Sequence, residues 1–173
     1  QGDHRAADGP RRRRGRGLQQ PGENARDRRC AEQRRNEFEK RTAGLVSQFG
    51  VYEPVPGATI SGHQNLGENI GDLGGLSIAH AAYRKYVDEK QGGKAPVIGG
   101  FTGDQRFFLS WAQVWRSLVT ESEERRRLLS DPHSPGEFRV NGIVRNVDAW
   151  YEAFDVKPGD KLYLPPEERV RIW

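Results

Sequence analysis

Residues 65–76 read NLGENIGDLGGL, and this stretch guides the interpretation of the whole sequence. Its large apolar residues recur at the three- and four-residue spacing of an amphipathic α-helix; they are Leu66, Ile70, Leu73 and Leu76. Glu68 and Asp72 lie one turn apart, so they share the opposite face. Each of the three glycines after Ile70 costs about 1 kcal/mol relative to alanine, which indicates close approach of another backbone. We predict a helix that is buried on both sides and continues to about Glu89.

A buried carboxylate on this helix needs a partner, because an unpaired charge in an apolar interior is too costly to remain ionised. A bound metal ion would satisfy Glu68. The alternative is a structural pair of carboxylates capped by an arginine from a neighbouring element. The spacing E-x-x-x-D alone favours this structural alternative, so a metal site needs support from further motifs.

Charge and apolar content divide the chain into two parts. The 173 residues suffice for one domain with a hydrophobic core. Residues 1–35 contain 11 arginines, no lysine, five acidic residues and no aromatic residue. Such a segment cannot bury enough apolar surface to offset the entropy lost on ordering. We predict that residues 1–35 are disordered and that residues 36–173 form the domain.

The composition also limits the classes of function. No apolar run approaches the roughly 18 residues of a transmembrane helix. Cys30 is the only cysteine, which excludes an internal disulfide and leaves the cellular compartment open. The arginine run at 11–16 permits salt-sensitive contact with an anionic polymer, but we expect no specific nucleic-acid partner because no aromatic residue is interleaved to stack on bases. Since the sequence contains no methionine, we expect it to be a fragment of a longer product.

Residues 36–173 show mainly helical patterns. A first helix is expected from Asn36 to Gly50, where the glycine supplies a stop. Another helix begins near Asp104 and carries a wide apolar stripe, which forms a core or lines a pocket. The stripe consists of Phe107, Phe108, Trp111, Val114, Trp115 and Leu118.

Shorter signals mark the ends of elements after the stripe. Thr120 precedes Glu123 by three positions, the spacing of a capping box at the start of a helix. The Asn-Gly pair at 141–142 predicts a turn, and Asn146 is expected to cap a short final helix. The fold class predicted from these elements is mainly α.

Four motifs follow one another along the chain: GENIGDLGGL at 67–76, FFLSWAQVW at 107–115, DPHSPGEFRVNG at 131–142 and VRIW at 170–173. Their order and spacing resemble the C-terminal part of the neprilysin and endothelin-converting-enzyme family of zinc metallopeptidases. The resemblance covers about residues 36–173. It implies the C-terminal portion of a thermolysin-like (gluzincin) catalytic domain. It also implies a zinc metalloendopeptidase that cleaves peptides on the N-terminal side of apolar residues.

The resemblance implies roles for four polar side chains. Glu68 would be the third zinc ligand, and Asp72, one turn further on, would orient a zinc-binding histidine. His133 would hydrogen-bond the oxyanion of the tetrahedral intermediate, and Arg139 would hold a carbonyl group of the substrate backbone. These four residues are the expected metal, catalytic and substrate-binding groups.

Three further residues have assignments with alternatives. By the same resemblance, Val114 and Trp115 would line the apolar S1′ pocket, which receives the substrate side chain after the cleaved bond. Ordinary core packing is the alternative for Val114. Asp131 either supports His133 or simply ends the preceding helix.

The metal site of this family also requires H-E-x-x-H, in which two histidines bind zinc and the glutamate is the general base. The chain has four histidines, at positions 4, 63, 80 and 133, and no two are four residues apart. Because a catalytic zinc takes three protein ligands, Glu68 alone would bind the ion weakly, and we expect no peptide hydrolysis by this chain as given. Gly75 and Ala79 extend the Glu68 face, against which a helix bearing H-E-x-x-H would pack.

Two hypotheses about function follow. The first is a partial zinc metallopeptidase domain with a peptide substrate, whose parent protein is secreted, membrane-anchored or bacterial cytoplasmic. The alternative is a non-catalytic binding module that uses the basic tail on an anionic polymer or an apolar groove on a peptide. For residues 1–35 we add the hypothesis of an out-of-frame origin, because GC-rich DNA read out of register yields mostly arginine, glycine, alanine and proline.

Overall fold

The structure is a computed structural model that describes the backbone of residues 25–172 and the side chains from residue 27 onward. It contains α1 (Ala25–Gly50), α2 (Leu66–Gln91), α3 (Gly103–Val114), α4 (Glu121–Ser130), α5 (Gly136–Val144), α6 (Asp148–Phe154) and a 3-10 helix (Pro166–Glu168). In this part of the chain, β-structure is limited to two isolated bridges. The predicted mainly α fold is therefore confirmed.

Helices α1, α2 and α5 pack against one another, and α3 packs against α5 and α6. The core forms where the apolar faces of these helices meet. Its buried members include Leu45, Phe49, Leu73, Leu76, Phe108, Ile143 and Val144. The apolar spacing in residues 65–76 thus buries one side of α2 as predicted. Among the described residues, none of the helices combines the length and apolarity needed to cross a membrane.

The other side of α2 is open. A Cβ atom added at Gly67, Gly71 or Gly75 would meet no atom within 4 Å, and Ile78 on the same helix is 67% exposed. The prediction that α2 is buried on both sides is wrong for the described residues. No other element among them reaches the face formed by Gly67, Gly71, Gly75 and Ile78, which we call the glycine face.

Helix α1 begins earlier than the sequence predicted. Residues 25–35, expected to be disordered, form its first turns. Side chains 27–40 are all exposed, so burial in the core does not order this part. Its arginine, glutamate, glutamine and alanine residues have high helix propensity, and they extend the helix from the packed turns around Leu45 and Phe49. Residues 1–24, including the arginine run, lie outside the described residues.

The predicted turn at Asn141-Gly142 is also wrong, because both residues lie inside α5. The glycine is needed for packing: a Cβ at Gly142 would lie 2.7 Å from Cζ of the fully buried Phe49. Asn146 does not cap α6, whose N-cap is Val147. Oδ1 of Asn146 instead accepts the backbone N–H of Val170 at 2.7 Å. In both places a tertiary contact explains the residue.

The ends of α3 and α4 test the remaining local predictions. Thr120 caps α4 as expected, since its Oγ1 accepts the backbone N–H of Glu123. Helix α3 starts with a capping box at Thr102 that the sequence analysis did not identify. It ends at Val114, so Leu118 lies beyond the helix and is fully exposed. Leu118 therefore does not belong to the apolar stripe.

Candidate active site

The first two turns of α2, the segment that joins α4 to α5, and α5 itself bring the predicted polar residues together. Oε2 of Glu68 lies 3.1 Å from Nε2 of His133 and 3.6 Å from Nη2 of Arg139. The Glu68 side chain is 43% exposed, so it is not the buried carboxylate that the sequence suggested. A carboxylate exposed to this extent is solvated by water, so its position requires neither a metal nor a full ion pair.

Asp72 is the buried carboxylate of the two. Its Oδ2 accepts Nε of Arg139 at 2.6 Å and its Oδ1 accepts Nη2 at 2.7 Å. Both side chains are more than nine-tenths buried, and such bidentate pairs combine strength with fixed orientation. For Asp72, the alternative of an arginine cap from a neighbouring element is what the structure shows.

The face of the Arg139 guanidinium covers an aromatic ring. Its Cζ lies 3.8 Å from the ring centroid of Trp115, within the range of a cation–π contact. Arg139 is therefore held on its edge by Asp72 and on its face by Trp115. This places the predicted pocket residue Trp115 next to the predicted polar groups.

His133 is held by Asp131. The ring Nδ1 lies 2.7 Å from Oδ1 of Asp131, which also accepts the backbone N–H of His133 at 3.0 Å. These two bonds keep the pKa of Asp131 below its ordinary value, and the bond from the backbone N–H has the larger effect. Asp131 is also the residue at which α4 ends. Both alternatives for Asp131 therefore describe it, and Nε2 is the His133 nitrogen left to face Glu68.

A cavity of about 510 Å³ opens beside these groups. Val114, Trp115, Asp131, His133 and Arg139 are among the residues that line it. Val114 is 71% exposed, which rules out ordinary core packing for this side chain. All the predicted site residues thus lie in one region. Glu68 and Asp72 do not line the cavity themselves but contact His133 and Arg139, which do.

The other two described histidines lie elsewhere. Nε2 of His80 lies 2.9 Å from Oδ1 of Asp104, and its ring stacks on Phe108. His63 is exposed in the turn before α2. Among the residues whose side chains are described, no group of three histidine, cysteine, aspartate or glutamate residues could hold a metal ion.

Two residues of this region were not identified from the sequence. Oγ of Ser134 donates to Oδ1 of Asn69 at 2.9 Å, and both side chains are buried. Asn69 is the only polar member of α2 that is completely buried. An asparagine next to Glu68, and a serine next to His133, are the signals that could have pointed to this pair.

Comparison with known proteins identifies the family. The model of Peptidase family M13 matches residues 13–170. Endothelin-converting enzyme 1 of Bos taurus is 39% identical over 136 residues, which is 79% of this chain and 18% of that protein. Neprilysin-3 of Drosophila melanogaster is 36% identical over 137 residues, 79% of this chain and 17% of that protein.

Solved structures give the same result. A zinc metalloprotease of Mycobacterium tuberculosis in complex with an inhibitor is 53% identical, with a TM-score of 0.76, over 80% of this chain and 22% of that one. A Haemonchus galactose-containing glycoprotein complex is 32% identical, with a TM-score of 0.72, over 82% of this chain and 24% of that one.

The matches have two consequences for the boundaries. This chain spans about a fifth of the length of these relatives. The family match also begins at residue 13, so it takes in part of the segment for which an out-of-frame origin was hypothesised, and it does not support that origin for residues 13–35. By sequence and by fold alike, the chain belongs to peptidase family M13, the neprilysin and endothelin-converting-enzyme family of zinc metallopeptidases.

Proposed function

We propose that this chain supplies one part of the active site of a zinc metalloendopeptidase and that the zinc-binding histidines come from a part of the protein outside it. One observation carries the proposal. Groups far apart in the sequence converge, with Oε2 of Glu68 3.1 Å from Nε2 of His133, while His133 and Arg139 line one cavity.

The side chains described here do not fit a complete zinc site. A catalytic zinc takes three protein ligands, and no group of three potential ligands occurs among residues 27–172. Glu68 offers one carboxylate, half-exposed and free to turn toward an ion. We therefore propose Glu68 as one zinc ligand and expect the isolated chain neither to hold zinc stoichiometrically nor to hydrolyse peptides.

Asp72 is proposed to have two partners: Arg139, which it binds in the structure, and a zinc-binding histidine, whose ring it would orient. An ionised carboxylate has about four acceptor positions, and the two hydrogen bonds from Arg139 occupy two of them. The remaining positions can accept a histidine N–H from the neighbouring element. Such hydrogen bonds fix the ring orientation of metal-binding histidines.

The glycine face is proposed to receive that neighbouring element. Its glycines leave room for a second backbone close to α2, and it begins at Gly67, next to Glu68. A helix carrying two histidines four residues apart would bring both rings to the Glu68 end of α2. The proposal thus explains why the described residues leave this face uncovered.

Arg139 is proposed to donate to a carbonyl of the substrate backbone. Its guanidinium has five N–H donors, and Asp72 takes one from Nε and one from Nη2. The other donors remain for a ligand in the cavity that Arg139 lines. Because Asp72 and Trp115 fix the guanidinium, little side-chain entropy is lost on binding.

His133 is proposed to stabilise the oxyanion of the tetrahedral intermediate by donating Nε2–H, which it does as an imidazolium whose Nδ1–H is donated to Asp131. Asp131 binds Nδ1 and so sets the direction of the ring. Removing one oxyanion donor typically lowers the rate by about 10²–10³. The exposed Val114 and the ring of Trp115 supply an apolar wall of the cavity, which suits a substrate with an apolar residue after the cleaved bond.

A chimera tests the proposal. Residues 36–170 of this chain would replace the matching segment of the mycobacterial zinc metalloprotease, which is 53% identical. We expect the chimera to bind one zinc per molecule and to cleave peptides before apolar residues. Glu68→Gln should abolish stoichiometric zinc, whereas His133→Ala should retain zinc and lower kcat by about 10²–10³.

Lys85→Ala in the same chimera is a control for substitutions in α2, because the Lys85 side chain lies at the surface, away from both the polar groups and the glycine face. A folded chimera whose zinc content and activity survive Glu68→Gln would refute the assignment of Glu68. The 173-residue chain itself serves as the second control, and stoichiometric zinc bound by it would contradict the proposal that its site is incomplete.

A further inference from the structure

The segment that carries His133 is anchored on both sides of the histidine by the start of α2. Before it, the carbonyl oxygen of Asp131 accepts Nε2 of Gln64 at 2.9 Å and Nδ2 of Asn65 at 3.2 Å. After it, Oγ of Ser134 donates to Oδ1 of Asn69 at 2.9 Å. The part of the chain that presents Glu68 therefore holds the His133 segment at two points, Asp131 and Ser134.

The bond between Asn69 and Ser134 is the buried one. Asn69 has no exposed surface, and Ser134 is 3% exposed. Bonds from Gln64 and Asn65, in contrast, are partly or fully open to water. Water competes less with a buried hydrogen bond, so the Asn69–Ser134 bond contributes most to a fixed geometry.

Stability alone does not explain an asparagine at this position. Its Nδ2 is buried without a hydrogen-bond partner in the structure, and an unpaired buried donor is destabilising. Leucine has a similar shape and would remove that unpaired donor, although it would also take away the acceptor of the buried Ser134 hydroxyl. The asparagine is better explained by what it holds in place.

We propose that Asn69, acting through Ser134, is a positioning residue that fixes the imidazole of His133 beside Glu68. Two prolines flank the pair His133-Ser134 and restrict the backbone on each side. The bond at Ser134 therefore fixes the backbone from which the ring projects, while Asp131 sets the direction of the ring. The inference deepens the proposed function and depends on it only for its consequence in catalysis. The positioning itself is a property of this chain.

Chemical modification of the full 173-residue chain tests the inference. Diethyl pyrocarbonate acylates accessible imidazole nitrogens, and mass spectrometry of peptides gives a separate rate for each histidine. Loss of the hydrogen bond in Asn69→Leu or Ser134→Ala should raise the rate at His133 by about 2- to 10-fold. The rate at exposed His63 should not change, and the double variant should exceed neither single variant.

Two controls separate positioning from general loosening. Thr42→Val removes an equally buried hydroxyl from α1 and should leave the rates at His133 and His63 unchanged. Ser134→Thr retains a hydroxyl and should keep the His133 rate closer to that of the unmodified chain than Ser134→Ala does.

The inference is overturned if folded Asn69→Leu and Ser134→Ala both leave the His133 rate unchanged. A parallel rise in the acylation rates of His133 and His63 would also overturn it, because the Asn69–Ser134 bond would then only stabilise the fold. If Asn69→Leu does not fold, Ser134→Ala with its threonine counterpart decides the question. The assay contains neither zinc nor peptide, so its failure is distinct from failure of the chimera.

Discussion

Arg139 and Asp72 form a buried, two-bond ion pair that joins α5 to α2, with N–O distances of 2.6 and 2.7 Å. The residues are 67 positions apart. Through this pair, the helix that carries the proposed zinc ligand fixes the group proposed to hold the substrate backbone. The pair therefore couples the geometry of the metal side to that of the substrate side.

Breaking this pair should be strongly destabilising. In Arg139→Met, the buried Asp72 loses its counter-charge, and we expect a loss of about 3–5 kcal/mol in the free energy of unfolding. The double variant with Asp72→Leu should recover much of this loss, since no unpaired charge remains. Urea unfolding of the full chain, analysed as a double-mutant cycle, measures both effects.

Arg125→Met is the matched control for that cycle. Its guanidinium donates two hydrogen bonds to Oε1 of Glu121 and one to the carbonyl oxygen of Pro56. The ion pair lies at the surface, with side chains 44% and 65% exposed. We expect a loss of less than about 1 kcal/mol. If Arg139→Met and Arg125→Met lower the free energy of unfolding by similar amounts, burial of the Arg139–Asp72 pair is not what makes its loss costly.

Two glycines in helices should respond in opposite ways to alanine. In Gly142→Ala, the new methyl group would crowd the ring of Phe49, and overpacking of this kind costs about 1–3 kcal/mol. In Gly75→Ala, nothing lies within 4 Å of the added atom, and removal of a helical glycine should stabilise by about 0.5–1 kcal/mol. Thermal unfolding of the two variants gives the comparison, and a stabilising Gly142→Ala would show that the close approach is wrong.

The chain should lose stability at acid pH through Asp148, which binds two arginines of the C-terminal segment. Burial raises the pKa of Asp148, but hydrogen bonds from Arg169 and Arg171 lower it by more than burial raises it. The pKa of Asp148 therefore lies below its ordinary value of 3.8. Its contribution to stability is therefore present above pH 3.8 and is lost as the pH falls through the lowered pKa. The melting temperature of the unmodified chain should drop toward that of Asp148→Asn in this range.

Asp155→Asn is the control for this pH dependence. Its ion pair with Lys157 is exposed on both sides, so we expect the variant to follow the unmodified chain across the whole pH range. A constant difference between Asp148→Asn and the unmodified chain from pH 7 to pH 2 would show that the Asp148 carboxylate is not responsible.

The alternative function, binding of an anionic polymer by the basic tail, has its own test. Arginines 11–14 and 16 would contact phosphates, so binding to single-stranded nucleic acid should weaken steeply with salt, with a logarithmic slope of up to about −4. We expect no dependence on base sequence. Removal of residues 1–24, which spares α1, should abolish such binding, and binding that survives this truncation would exclude the arginine run at 11–16 as its source.

Local patterns in the sequence determined the helical fold and the family. The apolar spacing of residues 65–76 predicted α2, and Thr120 with Glu123 predicted the start of α4, because such signals act within one or two helical turns. The motifs around Glu68 and His133 pointed to the polar residues that the structure brings together. Out of context, however, local signals misled at Gly142 and Asn146.

Only the tertiary structure decided which residues are partners. It pairs Asp72 with Arg139, sets Phe49 against Gly142, and joins Asn69 to Ser134 across 65 positions. It also leaves Glu68 half-exposed and the glycine face uncovered. These features depend on how distant helices approach one another, and a pattern of period 3.6 within one helix contains no information about the side chain that another helix places opposite it.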